Sequence, residues 1–249
     1  NLTDPGITLA TLAPFQRVTA GTLVGTVKII TYVDYACPFC AYFENANIDQ
    51  IKGWLDTGVA TLEVRPLSFL DGRGTPNEYS SRAGNAAICV AEYAPNSFFD
   101  YNAILFENQP AEGTAGPSND VLVEYLDKVQ IPATEKLTSC IKNKDFGPWL
   151  LDHTSKVLST PIAGTSETVD GTPYILVNGQ RYTWKTGEEL MSPARFAQFV
   201  HRGHGLAQRV GLALGAGRQV LVAFGDLARG RIDRLGADQH LRHGVRDAM

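Results

Sequence analysis

The sequence predicts an α/β fold, in which a central mixed sheet is flanked by helices and carries an inserted helical domain. Residues 26–34 form a β-branched and aromatic run that suits a buried strand, and residues 60–67 suit a second one. Strand patterns then give way to helical spacing from about residue 77 to 160. They return at 173–177, and residues 180–184 pair back on them. Strands on both sides of a helical stretch predict one sheet with a helical insertion.

A helix separates the first two strands. Apolar residues recur at helical spacing from Phe39 to Leu55, and the pattern ends near Gly58. A strand–helix–strand unit of this kind joins two parallel strands.

Five helices are predicted in the inserted domain. They cover residues 78–93, 96–107, 119–129, 134–142 and 148–158. Asn119 is the predicted cap of the third helix. After the insertion, Asn178-Gly179 is a strong two-residue hairpin turn, and Ser192-Pro193 begins the last helix.

These patterns divide the chain into three parts. Residues 1–74 and 161–200 form the domain that holds the sheet, 75–160 the inserted helical domain, and 201–249 a C-terminal tail. The tail holds eight Arg and four acidic residues, whereas the preceding residues hold 14 basic and 22 acidic ones. We expect the tail to be a loosely ordered appendage or a stretch of foreign sequence, and the alternative is a helix that binds a partner.

Length and composition limit the possible functions. With 249 residues, 44% of them apolar, the chain can bury a substantial core. Its net charge of −4 gives no electrostatic reason to expect nucleic acid as a partner. No apolar run reaches the roughly 18–20 residues of a membrane-spanning helix. Since the sequence starts at Asn1 without Met, we expect that it is trimmed, and a removed signal or membrane anchor would not be visible in it.

The stretch Cys37-Pro38-Phe39-Cys40 joins the first strand to its helix and is the candidate site. Cys37 falls at the helix N-terminus, where free backbone N–H groups and the positive end of the helix dipole favour a thiolate. Pro38 lacks an N–H at a position that needs none. Cys40 lies one turn further on, so we expect it to be more buried and to resolve the mixed disulfide that Cys37 forms. A zinc site is the alternative, but zinc needs four ligands, and the other two cysteines are too far apart in sequence to form a second such pair.

Residues 34–40, Asp-Tyr-Ala-Cys-Pro-Phe-Cys, resemble the active-site stretch of the DsbA-like, thioredoxin-fold oxidoreductases of the bacterial cell envelope. Residues 171–179, Gly-Thr-Pro-Tyr-Ile-Leu-Val-Asn-Gly, resemble the cis-proline strand of that family and the hairpin after it. The helical insertion between the two motifs matches as well. The resemblance implies a thioredoxin fold and a cis bond between Thr172 and Pro173, with that loop facing Cys37.

The resemblance also implies an extracytoplasmic thiol–disulfide oxidoreductase that needs no cofactor and no metal. We expect an oxidase that passes the Cys37–Cys40 disulfide to reduced, unfolded secreted proteins, and a monomer that a membrane quinone-linked partner reoxidises. The residues expected to support the two cysteines are Pro38, Phe39, Thr172 and Pro173. The alternatives are a reductase or isomerase on the same fold, and a non-enzymatic protein that binds a metal or another partner.

Two positions depart from the family pattern. Phe39 replaces the histidine that often precedes the second cysteine, so one source of positive charge beside the thiolate is missing. Thr31 stands six residues before Cys37, where many members bury an acid. Asp34 and Glu44 are the nearest acids, and we expect a structural cap or a surface position for each, with a proton relay as the alternative. The pKa of Cys37 is still expected to lie below that of a free thiol.

Cys89 and Cys140 form the second cysteine pair. Two buried free thiols are the simplest interpretation of both positions. An exported protein forms disulfides, however, and some DsbA-like proteins of Gram-positive actinobacteria carry a bridge in the helical domain. We therefore expect a Cys89–Cys140 disulfide that serves stability and not catalysis.

Overall fold

One five-stranded sheet and eight α-helices make up the part of the chain that the computed structural model describes, residues 7–8, 26–73, 76–163 and 165–203. The strands are β1 (Ile7–Thr8), β2 (Val27–Val33), β3 (Ala60–Pro66), β4 (Tyr174–Val177) and β5 (Gln180–Arg181). The helices are α1 (Pro38–Asp56), α2 (Tyr79–Tyr93), α3 (Phe98–Glu107), α4 (Asn119–Lys128), α5 (Glu135–Asn143), α6 (Gly147–Ser159), α7 (Gly187–Leu190) and α8 (193–203). Short 3₁₀ turns, Pro76–Glu78 and Pro95–Ser97, precede α2 and α3.

The sheet confirms the predicted mixed architecture. Its strand order is β1-β3-β2-β4-β5, with β2 at the centre. β2 runs parallel to β3, from Val27 opposite Ala60 onward, and antiparallel to β4. The sequence patterns did not predict β1, which pairs antiparallel with β3 through only two residues.

The main core extends across the sheet domain and the inserted helices. Ile29 of β2 and Phe43 of α1 belong to the same apolar cluster as Tyr101 of α3 and Leu122 of α4. A second, smaller cluster, which includes Tyr32 and Tyr174, lies on the sheet beside it. The inserted domain is therefore joined to the sheet domain by a continuous interior, and all described residues belong to one unit of the chain.

All five predicted helices of the inserted domain are present between β3 and β4, with shifted ends. One predicted cap is wrong: Ser118, and not Asn119, caps α4, because its side chain accepts a hydrogen bond from the Val121 N–H at 3.3 Å. Asn119 is instead the first helical residue, and its side-chain amide donates to the carbonyl of Lys142 at 3.1 Å.

The C-terminal hairpin turns at Asn178-Gly179, as predicted, and both residues have positive φ angles, 50° and 79°. The Asn178 side chain accepts a hydrogen bond from the Lys28 N–H at 2.8 Å and donates to the Gly203 carbonyl at 3.1 Å. It therefore fastens the hairpin to β2 and to α8. β5 is shorter than the predicted strand over residues 180–184, because the chain turns away and begins α7, which Thr186 caps.

The predicted domain boundaries and the predicted tail stay predictions. Beyond residue 203 the tail lies outside the described residues, as do residues 9–25. Within the described part, no helix is both long enough and apolar enough to cross a bilayer.

Cys89 of α2 and Cys140 of α5 form a disulfide, the pairing that the resemblance implied. Both residues are completely buried, and their Cα atoms lie 5.9 Å apart across a sequence separation of 51. Asn85 lies beside the bridge: its amide donates to the Cys140 carbonyl at 3.2 Å, and its oxygen accepts from the Phe146 N–H at 2.8 Å. The bridge and these bonds hold α2 to the α5–α6 corner.

Replacing both Cys89 and Cys140 by Ala is expected to lower the free energy of unfolding by about 4 kcal/mol, since a cross-link that closes a loop of this length restricts the unfolded chain. Urea unfolding under non-reducing conditions measures it. Each single Ala variant serves as a control, because it already breaks the bridge and should lose nearly as much as the double variant. Losses that simply add up would contradict a bridge.

Candidate active site

The turn from β2 into α1 places Cys37 at the start of the helix. Cys37 is the N-cap residue, with extended backbone angles, and Pro38 occupies the first helical position. The Cys37 carbonyl accepts hydrogen bonds from the N–H groups of Cys40 and Ala41 at 3.0 and 3.3 Å. The sequence predicts this helix start, because Pro38 lacks an N–H at a position where the helix needs none.

The two active-site sulfur atoms are free thiols. Cys37 keeps 5% of its surface exposed, and Cys40 is completely buried. The Cys37 thiol donates to the Thr172 carbonyl at 3.2 Å, and the Thr172–Pro173 peptide bond is cis. Thr172 reaches the thiol because β4 pairs with β2, so the residues before β4 arrive where β2 ends.

The two thiols differ strongly in acidity. The pKa of Cys37 is lowered from 9.0 to about 7, and the largest cause is a hydrogen bond from the Cys40 side chain. Burial opposes this effect, and the Thr172 side chain supports it. Burial raises the pKa of Cys40 well above its usual value. Cys37 is therefore the thiolate near neutral pH, and Cys40 stays protonated.

The cause of the low pKa differs from the one predicted. The sequence pointed to the amide groups at the helix start, but the Cys40 backbone N–H contributes less than the Cys40 thiol does. The side chain dominates because its S–H can point directly at the Cys37 sulfur one turn away.

Asp34 is completely buried, so the surface position, one of its two expected roles, is wrong. Its carboxylate accepts hydrogen bonds from the N–H groups of Ala36 and Leu70, both at 2.8 Å. Burial raises the pKa of Asp34 to about 6, although these bonds oppose the change. The Asp34 N–H also lies 3.5 Å from the Cys40 sulfur, which places this acid next to the dithiol.

Glu44 is also buried, which again contradicts a surface position. It lies one helical turn after Cys40 on α1, and its Oε1 atom has no hydrogen-bond partner among the described residues. Burial raises its pKa to about 7, and the Asn102 side chain opposes this only in part. Thr31, which occupies the position of the usual acid, is buried as well. The site thus has two buried acids, both at positions other than residue 31.

An exposed aromatic pair lies beside the dithiol. Phe39 is 49% exposed and Tyr42 46% exposed, and their rings meet edge to face with centroids 5.9 Å apart. Exposed apolar side chains next to a reactive sulfur offer contacts to a protein substrate.

Gln109 is a site residue that sequence reasoning missed. Its side-chain nitrogen donates to the carbonyls of Tyr35 and Cys37, each at 2.9 Å. Gln109 follows α3 of the inserted domain, 72 residues from Cys37. No pattern in the sequence connects the two positions.

The described residues contain no group of three or more His, Cys, Asp and Glu side chains placed to hold a metal ion. Within this part of the chain, Cys37 and Cys40 therefore form a dithiol without the further ligands of a zinc site.

Comparison with known proteins shows to which family this chain belongs. A family model described as Thioredoxin matches residues 16–198. The chain belongs to the thioredoxin family. One similar solved structure is DsbA of Mycobacterium tuberculosis in its oxidised form. It is 25% identical, with a TM-score of 0.60, and the match covers 83% of this chain and 100% of that one. In its fold and in its Cys37–Cys40 pair, this thioredoxin-family chain is similar to that protein.

Other solved structures show the same fold. The reduced form of the same M. tuberculosis protein is 23% identical with a TM-score of 0.63, and the match covers 84% of this chain and 100% of that one. MdbA, a thiol-disulfide oxidoreductase from Corynebacterium diphtheriae, is 19% identical with a TM-score of 0.57, over 82% of this chain and 91% of that one.

A longer protein contains a similar stretch. Serine/threonine-protein kinase PknE of M. tuberculosis is 31% identical over 180 residues, which is 67% of this chain and 30% of the kinase. The chain thus spans less than a third of the length of this relative.

Replacing Cys40 by Ala is expected to move the midpoint of Cys37 alkylation from about pH 7 toward 9, because the thiol that lowers the Cys37 pKa is gone. The rate of reaction with iodoacetamide as a function of pH measures it. Cys40→Ser is the matched control, since its hydroxyl can still donate to the sulfur and should shift the midpoint less. An unchanged midpoint in Cys40→Ala would show that the helix start alone holds the thiolate.

Replacing Glu44 by Gln is expected to stabilise the protein at neutral pH. The folded state keeps the Glu44 proton up to about pH 7 and the unfolded state only to 4.5, so wild-type stability falls as pH rises between these values. The variant should therefore gain up to about 3 kcal/mol at about pH 8 and almost nothing at about pH 4.

Urea unfolding at both pH values measures the gain. Asp49→Asn on the exposed side of the same helix is the control and should show no such pH-dependent gain. Equal effects of Glu44→Gln at both pH values would contradict a buried, protonated Glu44.

Proposed function

We propose that this protein is an extracytoplasmic oxidase that passes the Cys37–Cys40 disulfide to reduced, unfolded secreted proteins. The observation that carries the proposal is the difference between the two sulfur atoms, of which Cys37 is the stabilised thiolate. A stabilised thiolate favours the reduced form of the enzyme, and it therefore makes the disulfide form oxidising.

In the proposed reaction, a thiolate of the substrate attacks the Cys37 sulfur of the oxidised enzyme. The Cys37–Cys40 bond breaks, and Cys40 leaves as a thiolate that takes up a proton. A second substrate thiolate then attacks the substrate sulfur of the mixed disulfide, and Cys37 leaves as the stabilised thiolate. The substrate loses two electrons and gains a disulfide, and the enzyme dithiol gains both electrons.

Two buried acids support the proton step at Cys40. The Asp34 backbone contacts the Cys40 sulfur, and Glu44 lies one turn below it. With pKa values of about 6 and about 7, both acids can exchange a proton near neutral pH. In this proposal they take the place of the acid that family members carry at the position of Thr31.

The surroundings of Cys37 support an extended protein substrate. The Thr172 carbonyl lies 3.2 Å from the Cys37 sulfur, so the backbone before β4 can pair with a substrate segment held in the mixed disulfide. The exposed rings of Phe39 and Tyr42 offer further apolar contacts. Pro38 and Pro173 shape the two loops that carry these groups.

The buried Cys89–Cys140 disulfide supports an extracytoplasmic location, since such bridges form in oxidising compartments. There we propose a monomer that a membrane quinone-linked partner reoxidises.

A reductase or isomerase is the second candidate, and one observation favours it. The Cys37 pKa of about 7 equals the value typical of thioredoxin, whereas the strongest oxidants of this fold have values near 3.5. Phe39 supplies no positive charge that would lower the pKa further.

The oxidase is expected to have a Cys37–Cys40 potential of about −180 to −120 mV, well above the −270 mV or so of thioredoxin. Equilibration with glutathione buffers measures the potential. Oxidation of reduced ribonuclease should outpace the refolding of its scrambled form, and Cys37→Ser should abolish both. A potential near the thioredoxin value would assign the protein to the reductases instead.

A further inference from the structure

We infer that Gln109 is a positioning residue through which the inserted helical domain holds the backbone of Cys37 and sets the reactivity of its sulfur. The inference deepens the proposed function, because it rests on Cys37 as the sulfur that forms the mixed disulfide. It does not depend on the direction in which the enzyme moves electrons.

The Gln109 side chain bridges two carbonyls of the active-site turn. Its Nε2 atom lies 2.9 Å from the Tyr35 oxygen and 2.9 Å from the Cys37 oxygen. A primary amide has two N–H donors on this nitrogen, and both are used on the turn. One side chain therefore fixes two peptide groups of the turn, the one between Tyr35 and Ala36 and the one between Cys37 and Pro38.

Among the described residues, three donors reach the Cys37 carbonyl. Besides Gln109, the N–H groups of Cys40 and Ala41 reach it as the first hydrogen bonds of α1. A carbonyl oxygen is a local negative charge, and here it belongs to the same residue as the thiolate. Each donor on that oxygen reduces the repulsion between the oxygen and the sulfur, so Gln109 favours the thiolate.

The end of α3 fixes the direction of the Gln109 side chain. The Gln109 N–H closes the helix on the Phe106 carbonyl at 3.2 Å, and Pro110 prevents the helix from continuing. Phe106 itself packs on the Tyr35 ring, with centroids 4.8 Å apart. The Tyr35 hydroxyl donates to Asn102 of the same helix at 2.8 Å.

Two residues of α3, Asn102 and Phe106, thus hold the turn at Tyr35. Among these contacts, only that of Gln109, which follows α3, holds the turn at Cys37. A purely structural role would predict that the loss of Gln109 lowers stability equally in the oxidised and reduced forms. A positioning role predicts in addition a change in the acidity of Cys37.

Gln109→Glu is the decisive variant, because it keeps the shape and replaces both donors by a carboxylate facing two carbonyls. Gln109→Ala removes the donors without adding charge, and Gln109→Asn retracts the amide by one methylene. Asn108→Ala is the matched control: Asn108 is the neighbouring half-buried amide, and its side chain donates only within α3, to Ile104 at 2.9 Å.

Three measurements test the inference. They are the thiolate absorbance of the full-length reduced protein as a function of pH, the equilibrium with glutathione, and the melting temperatures of both redox forms. We expect Gln109→Glu and Gln109→Ala to lower the thiolate fraction below the Cys37 pKa about threefold or more, which corresponds to loss of roughly one neutral hydrogen bond. The reduced form should lose more stability than the oxidised form, and Gln109→Asn should fall between Ala and wild type.

Asn108→Ala should leave the thiolate titration at the wild-type position. If the Gln109 variants titrate like wild type and melt lower by the same amount in both redox forms, the inference is overturned and Gln109 is only structural. If Gln109→Glu does not fold, the Ala and Asn variants decide by the same criterion. A wild-type protein that fails to oxidise ribonuclease would defeat the proposed function and leave this comparison intact.

Discussion

The chemistry of this chain depends on one hydrogen bond between two sulfur atoms that are three residues apart. Cys40 can donate to Cys37 only while it keeps its own proton, and its complete burial is what keeps that proton in place. The acidity of one sulfur is therefore set by the solvation of the other, and the two titrate as a coupled pair. Burying the second cysteine of the motif is what activates the first.

Three distant parts of the chain hold the turn that makes this bond possible. Asp34 ties the turn to Leu70 after β3, Gln109 ties it to the end of α3, and Thr172 meets the thiol from the loop before β4. The inserted domain shares its core with the sheet, so it belongs to the framework of the site. The turn that carries Cys37 is thus held by contacts from both the sheet domain and the inserted domain.

The parts that the sequence predicts are those fixed by local chemistry. The parallel strands around α1, the Pro38 start of the helix and the Asn178-Gly179 turn all follow from residues that are close together in sequence. The disulfide and the loop before β4 followed from family resemblance, because spacing alone says nothing of a contact between distant segments.

The site features that the sequence did not predict share one physical cause. A surface position was one of the two roles expected for Asp34 and Glu44, because most acids are exposed. The amides of Leu70 and Asn102 that face these two acids are distant in sequence. Gln109 carries no signal at all, since an amide after a helix is ordinary until the fold brings it to Cys37. Long-range polar contacts of single side chains leave no period or motif to detect.

The burial of the Cys89–Cys140 disulfide between α2 and α5 has a consequence for the proposed disulfide exchange. Exchange requires a sulfur to approach along the line of the existing bond, and both of these sulfur atoms are shut away from solvent. Neighbouring copies of the enzyme cannot use this bond as a substrate while the domain remains folded. Burial thereby separates the structural Cys89–Cys140 disulfide from the Cys37–Cys40 disulfide that is proposed to be exchanged.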